Sequence, residues 1–331
     1  MHPYLRFHIL VKPTEEGSRR RPGRHLEVLY PPSEPGPSAL TSPRLRRVLG
    51  KALLDAFCPF GAPRCETPPR AAPRATPAEL CHLADTCPYG VLYAGSRSRR
   101  PPFALYVAAD GSGAPDLVEV SLYGPAWRAY PWLLAALERA LGTGLGKERQ
   151  RWRIERIFKV TADGRRRKLC GGDLAALPSD LGPEHFRLTA DRYLPPQPMA
   201  VELLSPTRLV RDGRLLPRGM PVTFDLLIAR ILDRFRGLYG DGSSELLRPS
   251  VRAEIEEAAS RVPLLRDETR WIEVRDYSAR TGSELLLGGL YGRLLYGEPA
   301  ARFLPVLRAG EVLHLGKNPA SGCGRMRIGL Q

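Results

Sequence analysis

The chain has 331 residues, and its 50 lysines and arginines against 35 aspartates and glutamates give a formal net charge of +15 at pH 7. Such an excess indicates a polyanion or an anionic surface as partner, and arginine, the predominant cation, holds phosphate through two hydrogen bonds. No apolar run approaches the roughly 18 residues that a membrane span needs, and the start of the chain lacks a signal-peptide layout. A cytoplasmic protein of two domains is therefore expected.

The first half of the sequence alternates strand and helix patterns. Apolar residues at every second position of 4–11, with Arg6 and His8 between them, predict a strand. Ser42 and Pro43 supply a helix start, and an apolar stripe continues to about residue 57. The elements that follow are strand 103–108, strand 117–123, helix 131–141 and strand 151–160. Strand, helix, two strands, helix and strand form the ferredoxin-like pattern.

One face of the helix over 42–57 is basic. Arg44, Arg47 and Lys51 stand at positions i, i+3 and i+7, so they share a face that the apolar stripe does not occupy. A solvated helix face is one explanation of such a stripe, and phosphate binding is the other.

Residues 58–102 form an insertion rich in cysteine, proline and arginine, in which a short strand is predicted over 89–93. Four of the six cysteines lie here: Cys58, Cys65, Cys81 and Cys87. In a reducing compartment such a group favours a metal over disulfides, but the spacing is not that of a zinc ribbon. A structural zinc and free or buried thiols therefore remain open alternatives.

The second half repeats the plan of the first. The predicted elements are a strand over 199–210 interrupted at Ser205-Pro206, a long helix from 224, a strand over 271–278, a hairpin-like pair over 283–296, a short helix over 300–307 and a last strand from 325. The basic run 165–168 and the proline-rich run 195–198 predict a surface linker between the halves. The domains are therefore predicted at 1–195, which contains the insertion, and at 196–331.

A glycine-rich loop precedes the last strand. It contains Gly316, Lys317, Gly322 and Gly324, with Arg325 directly after it. Glycines permit positive φ and a close approach of the backbone, and consecutive free N–H groups can bind phosphate oxygens. The spacing is neither that of a P-loop nor that of a dinucleotide-binding fingerprint. A tight turn that holds the last strand is the structural alternative.

Several of these stretches resemble one family, the CRISPR-associated endoribonucleases that process precursor CRISPR RNA, within the RAMP superfamily. Its glycine loop reads Gly-x-Gly, five residues with a basic one, and Gly-x-Gly; residues 314–324 match this pattern, with His314 in place of the first glycine. Residues 271–280 and 288–292 are similar to its hairpin segment. Three further stretches, 46–53, 87–93 and 117–141, resemble its N-terminal segments.

The resemblance implies an α+β fold of tandem ferredoxin-like (RRM-like) domains and a reaction on repeat RNA. The 2′-hydroxyl attacks its own phosphate without a metal, leaving a cyclic phosphate, and the crRNA is retained in an effector complex with other subunits. The expected cofactors are none for catalysis and a structural zinc on the four cysteines. Two alternatives remain open: a non-catalytic RAMP subunit that binds RNA in an effector complex, and a general basic RNA-binding protein.

The catalytic candidates follow from where a proton can be exchanged. The family often carries its histidine on or before the first helix, and the helix over 42–57 has none. His314, at the edge of the glycine loop, is the first candidate and His25, in the loop after the first strand, is the second, with Lys51 as an electrostatic partner. The predicted RNA-binding residues are Arg44, Arg47, Arg275, Tyr277, Arg280, Gly316, Lys317, Gly322, Gly324 and Arg325.

Overall fold

Two antiparallel sheets organise the chain, one in each half. The computed structural model describes residues 2–14, 40–59, 81–94, 101–108, 116–146, 148–189, 195–278 and 283–330. Among these residues, no helix has both the length and the apolar character that a membrane crossing requires.

The N-terminal sheet has the strand order β2-β3-β1-β4-β5, with every pair of neighbours antiparallel. Its strands and helices are β1 Pro3–Pro13, α1 Ser42–Phe57, β2 Phe103–Ala108, β3 Asp116–Tyr123, α2 Tyr130–Thr143, β4 Trp152–Val160 and β5 Arg166–Cys170. The central position of β1, between β3 and β4, is that of a ferredoxin-like fold, which confirms the predicted class.

Strand β1 divides its side chains between two environments. Leu5, Phe7 and Ile9 are fully buried in one hydrophobic core with the apolar stripes of α1 and α2. Arg6 and His8 lie on the opposite face of the sheet, as the alternation predicted, and are also buried. That second face is covered by the C-terminal half of the chain.

Two predictions for the N-terminal half are wrong. The basic run at 165–168 is not a linker, because Arg166–Cys170 pairs with β4 as an edge strand and keeps its long cationic side chains in solvent. Gly90–Ala94 is a helical turn and not part of a strand. The helical spacing brings the rings of Tyr89 and Tyr93 into a stack with centroids 5.2 Å apart.

The C-terminal sheet has the order β7-β10-β6-β11, and β8 and β9 form a separate hairpin. The elements are β6 Met199–Thr207, α3 Phe224–Tyr239, α4 Pro249–Ser260, β7 Leu264–Ile272, β8 Arg275–Ser278, β9 Ser283–Leu286, β10 Gly289–Tyr296, α5 Leu304–Leu313 and β11 Met326–Leu330. Strand β6 is central, as β1 is in the other sheet, so the ferredoxin-like arrangement occurs twice.

Three details of this half differ from the prediction. Helix α4 was not predicted. Strand β6 ends at Thr207 and not at residue 210, and its pairing with β10 shifts register between Leu203 and Thr207, where the interruption at Ser205-Pro206 was predicted. The helix predicted over 300–307 is a 3-10 helix over Glu298–Phe303 that continues directly into α5, and α5 ends at Leu313, so His314 follows it directly.

Candidate nucleic-acid interface

The start of α1 packs directly against the glycine loop of the other half. Gly322 has a φ of +90°, and a Cβ on it would lie 2.2 Å from the Cβ of Ser42. Ser42, in the first turn of α1, is itself fixed by the Val107 N–H, which donates to its Oγ at 2.9 Å. Glycine is therefore required at position 322 both for its conformation and for the approach of α1.

The β8–β9 hairpin reaches the same place. The guanidinium of Arg47 on α1 forms an ion pair with Asp276 on β8. Arg208 donates from its Nη1 to the Leu286 carbonyl at 2.5 Å, and its own carbonyl accepts the Lys317 N–H at 3.2 Å. Helix α1, the hairpin and the glycine loop thus meet, although they come from distant parts of the sequence.

Five of the predicted cations lie on the elements that meet here, and we call them the basic surface: Arg44, Arg47 and Lys51 of α1, Arg275 of β8 and Lys317 of the glycine loop. The side chain of Lys51 is 68% exposed, and Lys317 is exposed as well. Burial lowers the pKa of the half-buried Arg44, an effect that Asp276 opposes.

Acidic side chains already contact three members of the basic surface. Asp276 pairs with Arg47, Asp55 lies 3.3 Å from the Nζ of Lys51, and Glu284 lies 3.5 Å from Arg275. Such exposed pairs contribute only about 0–1 kcal/mol each. A phosphate can therefore displace these carboxylates with little loss of stabilising free energy.

The other two glycines of the loop pack closely against backbone carbonyl groups of the same chain. A Cβ on Gly316 would lie 2.2 Å from the Arg208 carbonyl oxygen, and one on Gly324 would lie 1.8 Å from that of Leu315. The close approach that the glycines permit is thus made to other parts of this chain. Contact of these glycines with RNA stays a prediction.

Behind the loop, one buried carboxylate joins the two halves. Glu119 of β3 is 2% exposed. Its Oε2 lies 2.9 Å from the Nη2 of Arg6 and 3.0 Å from the Nε2 of His8, both on β1. Its Oε1 lies 3.0 Å from the Nε of Arg325 and 3.4 Å from the Nε2 of His314, at the two ends of the glycine loop.

The protonation states in this cluster follow from burial and charge. Burial by itself would raise the pKa of Glu119, but Arg6, Arg325 and the two imidazoles outweigh it and hold that pKa well below its usual range. Burial lowers the pKa of His314 to about 4, with Glu119 opposing the shift. Burial lowers the pKa of His8 as well. Both histidines are therefore neutral at pH 7.

The burial of this cluster disfavours two predicted roles, proton transfer by His314 and RNA contact by Arg325. His314 is 1% exposed, and a carboxylate that only accepts hydrogen bonds occupies its Nε2, so it has no access to an RNA phosphate. Arg325 is also buried, and it donates to the carbonyls of Glu311 and Met326 besides pairing with Glu119. Contact of Arg325 with RNA stays an untested prediction, which its burial and its bonds within the protein disfavour. Proton transfer by His314 stays an untested prediction that its burial disfavours.

The remaining predicted residues divide into two groups. His25, Cys65, Arg280 and the side chain of Tyr277 lie outside the described residues. Cys58, Cys81 and Cys87 are partly buried, and none of them forms a disulfide bond within the described residues. Within the described ranges, no three histidine, cysteine or acidic side chains are placed to hold a metal ion. The zinc site therefore stays a prediction.

Glu119 and Asp276 are not among the residues that the sequence patterns predicted for the site. Glu119 had one visible signal, since it is the single carboxylate between apolar residues in the strand that starts at Asp116. Asp276 had none, because an acidic residue in a hairpin is ordinary.

The comparisons with known proteins agree with this geometry. Residues 201–326 match the family model described as CRISPR-associated endoribonuclease Cas6, and residues 39–179 match a second model described as an N-terminal domain. The C-terminal half of the chain therefore carries a Cas6 endoribonuclease domain. CRISPR RNA processing by an endoribonuclease is therefore its class of function. No curated protein sequence matches the chain.

Solved structures show that the Cas6-type fold extends over the whole chain. The product complex of a Thermus thermophilus Cas6 aligns with a TM-score of 0.53 at 15% identity, covering 98% of this chain and 99% of that one. A second Cas6 product complex aligns with a TM-score of 0.50 at 16% identity, covering 99% and 100%. A partial Cas6-RT-Cas1–Cas2 complex gives 0.50 at 12% identity, covering all of this chain and 46% of that one.

Proposed function

We propose that this Cas6-type chain binds CRISPR repeat RNA on the basic surface and cleaves it without a metal ion. The attacking group is the 2′-hydroxyl next to the scissile phosphate, and the products are a cyclic phosphate and a free 5′-hydroxyl. One observation carries the proposal: cations from both halves of the chain meet at the glycine loop, where Gly322 packs on Ser42. A chain of phosphates is the ligand that suits such a surface.

The reaction requires an in-line 2′-hydroxyl, an acceptor for its proton, a proton for the leaving oxygen and positive charge for the phosphorane. Lys51 of α1 and Lys317 of the glycine loop carry exposed ammonium groups, and we assign them to the stabilisation of the phosphorane charge. His25 is assigned to proton transfer, because the imidazole of His314 is withdrawn into the Glu119 cluster. Retention of the crRNA follows from the same phosphate contacts, which remain available to the product.

The first experiment is a cleavage assay on a stem-loop repeat RNA in the presence of EDTA. We expect a single cut, a product with a cyclic phosphate, and tight binding of that product. The matched control RNA carries a 2′-deoxynucleotide at the scissile position, and it should bind normally but remain intact. Cleavage that requires added Mg²⁺, or cleavage of the deoxy substrate, contradicts the proposed mechanism. Tight binding without any cleavage identifies the non-catalytic RAMP subunit instead.

A second experiment separates the two histidines. His25→Ala should lower the single-turnover rate by about a hundredfold or more and preserve repeat binding. His314→Gln keeps a donor for Glu119 and should retain most of the activity, whereas a proton carrier could not be replaced by an amide. A loss in His314→Gln alone, with unchanged hydrogen exchange in the glycine loop, returns the catalytic assignment to His314. Equal losses in both variants contradict the assignment of proton transfer to His25 alone.

A further inference from the structure

The glycine loop is held at both ends by one carboxylate from the other half of the chain. His314 directly precedes residues 315–324 and Arg325 directly follows them, and both side chains reach the Oε1 of Glu119. The loop is also closed on itself, because the Leu315 N–H donates to the Gly324 carbonyl at 2.7 Å. The two ends of the loop are therefore coupled to each other, and their contacts with Glu119 fix their position.

Each oxygen of the Glu119 carboxylate binds residues from a different part of the chain. Oε2 is bound by Arg6 and His8 of β1, within the same sheet as Glu119, and Oε1 is bound by the residues that flank the loop. Each side contributes one guanidinium and one imidazole. The carboxylate thus connects the strand that carries it to a loop about 200 residues further along the chain.

The conformation of His314 indicates that this contact is maintained against strain. Its backbone has φ +58° and ψ 148°, a combination that favours glycine, the residue that the loop pattern would place here. A glycine at position 314 would relieve this strain, but it could not form the contact with Glu119. A residue kept in strained conformation at the edge of a candidate site is more consistent with placement of the loop than with general stability.

We propose that Glu119 is a positioning residue that fixes the glycine loop against α1 through His314 and Arg325. This inference rests on the proposed function and adds to it the device that aligns the loop cations with those of α1. Removing the loop-side partners should displace Lys317 relative to Lys51 and slow the chemical step. Removing the β1-side partners should weaken the fold to a similar extent without moving the loop.

The test compares Arg325→Gln with Arg6→Gln, which each leave Glu119 one buried guanidinium. Cleavage is measured in single turnovers at saturating protein, and hydrogen exchange is followed in peptides that cover 313–325. Arg325→Gln should slow cleavage by at least about tenfold and accelerate exchange in the loop. Arg6→Gln, compared at a temperature equally far below its own Tm, should stay within about twofold of wild type in both readouts. Arg325→Lys, which keeps the charge, should recover part of the loss.

Equal effects of Arg325→Gln and Arg6→Gln on cleavage and on loop exchange would overturn the proposal and leave Glu119 a purely stabilising residue. If either arginine variant does not fold, His314→Asn and His8→Asn provide the same comparison with neutral groups. The exchange measurement needs no RNA. If the wild-type protein does not cleave repeat RNA, the proposed function fails while the positioning role is still decided by exchange.

Discussion

Acid should destabilise the protein well above the usual pKa of carboxylates, because His314 is buried as a neutral imidazole. In the unfolded chain its pKa is near 6.5, whereas burial lowers it to about 4 in the folded protein. Below pH 6.5 the unfolded state therefore binds a proton that the folded state does not. Folding stability falls as the pH drops through this window and stops falling on account of His314 near pH 4.

The magnitude follows from the shift. Each pH unit below 6.5 lowers the free energy of unfolding by about 1.4 kcal/mol for one such histidine. His314 alone should therefore lower the free energy of unfolding by about 2 kcal/mol between pH 6.5 and pH 5. His8 acts in the same direction, since burial lowers its pKa too. Glu119 stays ionised in both states over this window, because its pKa in the folded protein is well below the usual range. Arg6 and Arg325, which also face the imidazoles, keep their charge throughout.

The assay is urea unfolding at pH 7, 6 and 5 for the wild type and for His314→Gln. The unfolding free energy of the variant should fall less steeply with decreasing pH, by about 1.4 kcal/mol per pH unit, because unfolding of the variant no longer takes up the proton of His314. Identical slopes for the wild type and His314→Gln would refute the claim that His314 stays neutral in the folded state.

Four further predictions concern the interface and the cysteines. Repeat binding should weaken steeply with salt, and Lys317→Ala should reduce the slope of log K against log salt by about one; an unchanged slope would exclude a phosphate contact. Asp276→Asn should free Arg47 and tighten repeat binding by about twofold to tenfold at fixed salt, whereas weaker binding would mean that the ion pair holds the hairpin in place. Gly322→Ala should lower stability by about 1–3 kcal/mol and slow cleavage, while Gly164→Ala, also at positive φ but with open space around it, should leave cleavage unchanged. Elemental analysis should return about one zinc per chain if Cys58, Cys65, Cys81 and Cys87 bind it, with cleavage surviving chelation; a stable metal-free protein ends that prediction.

The sequence by itself determined the local elements and their order. The apolar stripe of α1, with Pro43 in its first turn, predicted a helix whose ends agree with the structure, because amphipathic periodicity is a local property. The prediction of Ser42 as the N-cap was wrong, since Thr41 holds that position without a side-chain cap bond and the Ser42 Oγ accepts from the Val107 N–H instead. The two ferredoxin-like arrangements followed from that order. The errors also have local causes. Basic residues in β5 resemble a linker unless the neighbouring strand edge is known, and Tyr89 to Tyr93 can be read at a strand or a helix spacing.

Only the tertiary structure decided what the site residues do. Periodicity placed Arg6 and His8 on the face opposite the core of β1, but it could not reveal that the C-terminal half covers that face. Residues 119 and 314 are 195 positions apart, so no spacing rule connects them. The pKa of His314 depends on that contact and on its burial. The same imidazole would be a good proton carrier on an open loop, and it is a buried hydrogen-bond donor here because two domains close over it.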